Sequence, residues 1–481
     1  MWQAYFGDLW LTRLALQRGL GVIYFLAFQC AARQFRPLLG ERGLLPAPAF
    51  LKQVHWAEEP SLFHLHYSER FASLVAWCGV ALSLLVVVGW ADAGPWWLSC
   101  VVWLTLYGLY LSIVNVGQTF YGFGWESMLL EAGFFATFLG PSDMEPSVIP
   151  VLALRWMLFR VELGAGLIKL RGDSCWRDLT ALYYHHETQP LPNPLSAFFH
   201  HLPRFVQRAS VAFSHFVQLV VPFGLWGPAP VAAVAGALII LHQLVLIISG
   251  NYAWLNWLTV VLALSAVSGD VLGAVVPGSA PTLVPRPAAF EWLLYLLALA
   301  TALLSIKPIL NLCSAHQAMN ATYNPLHLVG SYGAFGSVTR QRYEVILEGT
   351  DEASPSTSSV WRAYELPGKP GDPRQRPRQW APYHLRLDWL MWFLPLRCVV
   401  TERGVLTRGH PLWFIRLVDK LLAGDAATLA LFRRNPFRER PPTYVRASFY
   451  RYELCSRAER RATGQHWKRK YVGEYLPARR A

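Results

Sequence analysis

An apolar stretch between residues 148 and 170 carries four ionisable side chains, Arg155, Arg160, Glu162 and Lys169. Placing such a group at membrane depth costs about 2.5–3.5 kcal/mol on insertion scales, so each needs a partner or a purpose. Arg155, Glu162 and Lys169 follow one another at intervals of seven residues. Seven residues is close to two helical turns, which puts the three on one face. Glu126 and Glu131 stand on the preceding apolar stretch, and Asp173 follows the helix. These acids and bases can neutralise one another inside a bundle, as ion pairs that fix helix register. They can equally form a polar site at about the depth of Lys169. Gly164 and Gly166, on either side of Ala165, would let a neighbouring backbone come close.

Other polar residues are less specific. Asn115, Gln118, His242, Gln243, Asn251 and Asn256 lie in or beside apolar runs and are expected to make interhelical hydrogen bonds. His185 and His186, with His200 and His201, form pairs, but no acid or Cys stands at a coordinating spacing, so no metal is expected. The seven cysteines contain no CxxC pair; most lie in apolar runs and read as inert thiols, while Cys398 and Cys455 could pair in an oxidising compartment. G-x-S-x-G, Walker A and dinucleotide signatures are missing, and no cofactor is expected.

The elements that position these residues are those of a polytopic membrane protein. Only 15% of the 481 residues are charged, 54% are hydrophobic, and the mean hydropathy is +0.28. Ordinary soluble domains carry about 25% charged residues. A spanning helix needs about 20 mostly apolar residues. Candidate spans fall near 11–30, 72–90, 97–117, 125–141, 148–170, 211–226, 229–249, 252–267 and 288–310, giving about seven to nine spans or half-spans. The stretches 125–141 and 211–226 are short enough to be half-spans or buried helices. Between them, loops at 31–70 and 171–210 are long and, in the second case, rich in Trp, Tyr, Phe and Pro, which favours order.

The chain changes character near residue 330. Residues 1–336 carry 16 basic and 16 acidic side chains, and the remaining 27 basic and 14 acidic residues lie beyond. The stretches RYEVILEG and YVRASFYRYEL alternate as half-buried strands, with a helical pattern from Trp413 to Phe432 between them. The expectation is therefore a helical membrane domain over 1–330 and a basic, β-rich soluble domain over 331–481. Its arginines are scattered among strands and aromatics, so the reading favours anionic lipid headgroups or an acidic protein surface over nucleic acid.

Several long blocks carry a resemblance. GFGWESMLLEAGF (Gly122–Phe134), GAGLIKLRGDSCWRDLTALYYHHETQPLPNP (Gly164–Pro194), SGNYAWLNWLT (Ser249–Thr259), SYGAFGSVTRQRYEVILEGT (Ser331–Thr350) and PYHLRLDWLMWF (Pro382–Phe393) resemble, in order, the lipase maturation factor family. The resemblance implies a membrane-anchored factor, not a hydrolase, that helps dimeric secreted lipases fold and assemble. It implies a secreted lipase client, membrane lipids as surroundings and no nucleic-acid partner. Its location would be the endoplasmic reticulum membrane in a eukaryote or the inner membrane in a bacterium. Client binding would fall to the C-terminal domain, with Trp361, Tyr364, Tyr383, His384, Arg386, Asp388, Trp389 and Trp392 as candidate contacts. An alternative for the aromatic block is an amphipathic element packing on the membrane or the domain core. A fainter similarity joins Ala165–Leu170, Asp173 and Trp176 to the membrane domain of vitamin K-dependent γ-carboxylase. It implies an alternative function as a membrane enzyme with Lys169 as its base, since a desolvated Lys becomes usable as one.

Overall fold

In the computed structural model, residues 5–275, 278, 280–402 and 404–480 are described. Among the described residues, five helices are long and apolar enough to cross a membrane: α1 (Trp10–Leu39), α2 (Glu69–Val88), α3 (Trp96–Asn115), α7 (Ala229–Ser249) and α9 (Ala288–Cys313). Four further helices complete the bundle: α4 (Gly124–Ala136), α5 (Val148–Arg171), α6 (Arg204–Leu219) and α8 (Leu255–Ala263). The protein is thus an integral, polytopic α-helical membrane protein, and the two short candidate spans are the short helices α4 and α6. The 24-residue helix α5 has spanning length, but its interior is too charged to face lipid and it lies inside the bundle.

Local signals set the helix ends. Ser147 caps α5 by accepting from the Ile149 N–H at 3.3 Å, and Ser68 caps α2 by accepting from Phe71 N–H at 3.1 Å. Helix α1 runs nine residues further than the apolar pattern predicted, so the first loop begins at Gly40. Gly79 lets α1 and α2 meet, because any Cβ there would strike the Phe28 ring. The loop after α5 is built from short helical turns, Ser174–Arg177, Leu182–Thr188 and Ser196–His200.

Beyond α9 the chain crosses back over the bundle and enters an antiparallel sheet. Its order is β2–β1–β5–β6, formed by β1 (Arg342–Thr350), β2 (Arg362–Ala363), β5 (Tyr444–Leu454) and β6 (Trp467–Arg480). Strands β1 and β5 pair in unbroken register from Arg342–Tyr452 to Thr350–Tyr444. On β5, Val445, Ala447 and Phe449 point into the core while Arg446 and Tyr450 point outward. A hairpin of β3 (Cys398–Thr401) and β4 (Gly404–Thr407) is separate from this sheet. Helices α10 (Arg386–Phe393) and α11 (Leu412–Leu422) lie between the sheet and the membrane bundle. The predicted helix from Trp413 to Phe432 is shorter than its pattern, because Gly424 takes a left-handed conformation and ends it. All seven cysteines are free.

Candidate functional site

The segment PYHLRLDWLMWF is the plug that seats the C-terminal domain on the bundle. Arg386 is fully buried and donates to Glu126 of α4 at 2.7 Å and to the Phe120 carbonyl at 2.8 Å. Its guanidinium lies 3.4 Å from the Tyr121 ring centroid. Tyr110 of α3 donates to the same Glu126 carboxylate. From α1, Gln34 donates to the His384 carbonyl at 2.7 Å and accepts from the Arg386 N–H at 3.1 Å. His384 and Trp389 pack edge-on against Trp125. A second latch is Asn251, which donates to the carbonyls of Pro192 and Arg378 and accepts from the N–H groups of Trp380 and Ala381.

The linker before β1 is fixed by the next charges along. Glu131 and Arg160 form a buried ion pair, and Glu131 also accepts from Gly330 N–H at 2.9 Å and Tyr332 hydroxyl at 2.7 Å. The linker passes so close to α5 that a Cβ at Gly164 would clash with the Tyr332 carbonyl. Asp173 caps the turn beginning at Ser174 and pairs with Arg340 at 2.7 Å, which holds its carboxyl well below the usual range. Among the described residues Arg155 pairs with no acid; it caps the carbonyls of Ser265 and Leu225. The charges therefore do not form one cluster. They separate into one pair that anchors the C-terminal domain, two that tie the linker, and one cation that closes carbonyls.

Glu162 and Lys169 are different. They face a cavity of about 1630 Å³ between α4, α5, α6, α7, the 171–210 loop, the linker and the lip of the C-terminal domain. Lys169 donates to Gln218 of α6 at 2.6 Å, and Gln243 of α7 donates to Glu162 Oε1 at 2.7 Å. Lys169 also lies 5.1 Å from the centroid of the Trp176 ring. Much of the remaining wall is apolar, including Trp125, Met128, Val161, Phe213 and Leu255. Among the described residues, five buried polar atoms on this wall lack a hydrogen-bond partner: Trp125 Nε1, Glu162 Oε2, His186 Nδ1, His242 Nδ1 and Asn256 Nδ2. Unpaired polar atoms in a dry interior are costly and mark where a ligand's complementary groups would be worth most.

The other candidate residues are placed as follows. Tyr364, His384, Arg386, Asp388 and Trp389 are buried within the chain and present no surface to a partner in this conformation. Tyr383 accepts from Gln34 at 3.2 Å, and Trp392 donates to the Thr188 carbonyl at 2.9 Å, so both also join the two halves. Only Trp361 lies on the outer face of the sheet, with the Arg446 guanidinium 4.1 Å from its ring centroid. Of the six polar residues expected to bridge helices, Gln243 does so; Asn115 and Gln118 bind loop carbonyls instead, because the loops fold back onto the bundle. Among the described residues, no group of three or more His, Cys, Asp and Glu could hold a metal ion. Gln218 was invisible to sequence reasoning, since one glutamine on an amphipathic helix reads as a solvated position.

Comparison with known proteins agrees with this architecture. The family model for the lipase maturation factor transmembrane domain matches residues 11–274, and that for the lipase maturation factor C-terminal domain matches residues 328–477. Lipase maturation factor 1 of Bos taurus is 42% identical, covering 98% of this chain and 89% of that protein. Lipase maturation factor 1 of Homo sapiens is 41% identical over 98% and 88%. Lipase maturation factor 2 of Homo sapiens is 28% identical over 97% and 82%. No solved structure matches the chain. With two domains joined by a buried Arg386–Glu126 pair, and relatives aligned across both, the chain belongs to the lipase maturation factor family.

Proposed function

We propose that this membrane protein assists the folding and assembly of a secreted lipase, receiving the client on the outer face of its C-terminal sheet. The observation that carries the reading is the agreement with lipase maturation factor 1 across both halves of the chain. The outer face supports it: Trp361, Arg446, Tyr450, Arg469 and Tyr471 form a row of aromatic and arginine groups, with Arg469 4.7 Å from the Tyr450 centroid and Tyr450 5.5 Å from Tyr471. Trp, Tyr and Arg are the residues that concentrate binding energy at protein interfaces. The buried candidates Arg386, His384 and Trp389 then act by holding that face to the membrane anchor. The compartment that fits is the endoplasmic reticulum membrane in a eukaryotic cell and the inner membrane in a bacterium.

The test is secretion of an active dimeric lipase from cells lacking their own maturation factor, with secreted activity normalised to membrane-inserted protein. The wild-type chain is expected to restore secretion, and Arg469→Glu with Tyr471→Ala to reduce it at normal abundance. Lys169→Met is expected to retain rescue, since the proposed role needs no base. Failure of the wild type with every secreted lipase tried overturns the assignment; full rescue by the double variant overturns the sheet-face surface.

A further inference from the structure

We infer that the cavity around Glu162 and Lys169 is a binding site for an uncharged lipid bearing a free hydroxyl and ester carbonyls, an acylglycerol. At about 1630 Å³ it exceeds the roughly 300–1,000 Å³ of sites for drug-sized ligands. Such a volume, with a largely apolar wall inside the bundle, fits acyl chains. Its mouth is lined by exposed apolar residues, Val245 on α7 and Phe393 and Leu396 on the C-terminal lip, so a lipid has an apolar route in.

The polar wall selects the head. Glu162 is fully buried, and its unpartnered Oε2 requires a donor, which a hydroxyl supplies. Asn256 Nδ2, in a side chain only 3% exposed, requires an acceptor, which an ester carbonyl supplies. Lys169 spends one of its three N–H groups on Gln218 and keeps donors for a second carbonyl. At the polar end of the site Glu162 and Lys169 cancel, and the further cation on the wall, Arg397, stands beside Leu396 on the C-terminal lip. A quinone would bring acceptors but no donor for Glu162. The site is separate from the sheet face, and its test does not depend on a lipase client.

The full-length protein in phosphatidylcholine nanodiscs is mixed with a clickable diacylglycerol carrying a diazirine in one acyl chain, irradiated, and the labelled residues are mapped. Label is expected on cavity residues such as Phe213, Met128 and Leu255. Excess unlabelled diacylglycerol is expected to remove it at least tenfold. Triacylglycerol, without the hydroxyl, and an isoprenoid quinone, without a donor, are expected to leave it in place. Equal competition by either overturns the acylglycerol assignment. Label confined to bilayer-facing residues such as Leu241 and Ile248 overturns the site. Glu162→Gln is expected to weaken labelling about tenfold, as loss of a hydrogen bond to a charged group predicts. Ser214→Trp fills the cavity from α6 and is expected to abolish labelling while the gel-filtration profile stays unchanged; retained labelling in that variant overturns the proposal even if Glu162→Gln fails to insert.

Discussion

Two sets of buried charges within one bundle behave in opposite ways. At the seam between the membrane bundle and the C-terminal domain, Glu126 meets Arg386 and Glu131 meets Arg160, and both carboxylates also take neutral donors. Further along α5, Glu162 and Lys169 each lean on a glutamine and leave polar capacity facing a cavity. Both sets leave some buried atoms without a hydrogen-bond partner, Arg386 Nε and Nη2 and Arg160 Nε at the seam among them; what differs is the partner of each charge, an opposite charge at the seam and a neutral glutamine at the cavity. Breaking one member of a buried ion pair leaves an uncompensated charge, whereas removing a charge that meets only a neutral partner relieves a cost.

The sharpest way to break this contrast is Arg386→Met. Stranding Glu126 is expected to cost about 3–5 kcal/mol and to lower the steady-state level of inserted protein. Adding Glu126→Gln to the same chain is expected to recover part of that loss, and a double variant no better than the single would mean that the pair is not the cause. Asn251→Ala removes four hydrogen bonds at the second latch and is expected to cost about 1–3 kcal/mol, read as a lower midpoint for thermal aggregation of the purified protein.

A third test uses pH. Burial pushes the Asp388 carboxyl from 3.8 up to about 7, although it accepts from the Gly368 N–H at 2.6 Å. The native chain therefore holds this proton more tightly than the unfolded one, and stability should fall as pH rises from about 4 to about 7. Asp388→Asn should flatten that slope. Burial also lowers the Lys369 amine to about 8, so its contribution increases stability above pH 8 and leaves the Asp388 window distinct. Glu162→Gln is expected to leave the thermal midpoint unchanged or raised, the opposite of Arg386→Met. The smallest effect belongs to Tyr471→Ala on the exposed sheet face, within about 0.5 kcal/mol of wild type by the same thermal measurement. A larger loss there would show that the face belongs to the fold and not to a partner.

Particular residues show how much was legible. The apolar runs that became α2, α3 and α7 were legible because span length and hydropathy are local properties of about 20 residues. The strands β1 and β5 were legible as strands from alternation, but β1 is not the half-buried strand expected: it is buried along both faces, because other parts of the chain cover its second side. The charges on α5 were conspicuous for the same local reason. What the seven-residue spacing misjudged was their grouping. It put Arg155, Glu162 and Lys169 on one face and suggested a shared network, yet Arg155 closes carbonyls of Ser265 and Leu225. The partner of Glu126 lies 260 residues away at Arg386, in a segment that composition suggested for client contact. Gln218 and Gln243 matter because they reach Lys169 and Glu162 from α6 and α7, which no periodicity encodes.

The sequence by itself determined that the chain lives in a membrane and to which family it belongs. Those properties follow from the hydropathy of short windows and long blocks of shared residues. Tertiary structure alone decided which buried charges are neutralised and which are left facing a cavity. A charge in a low-dielectric interior takes its meaning from groups within a few ångströms, and here most of those groups come from distant parts of the chain.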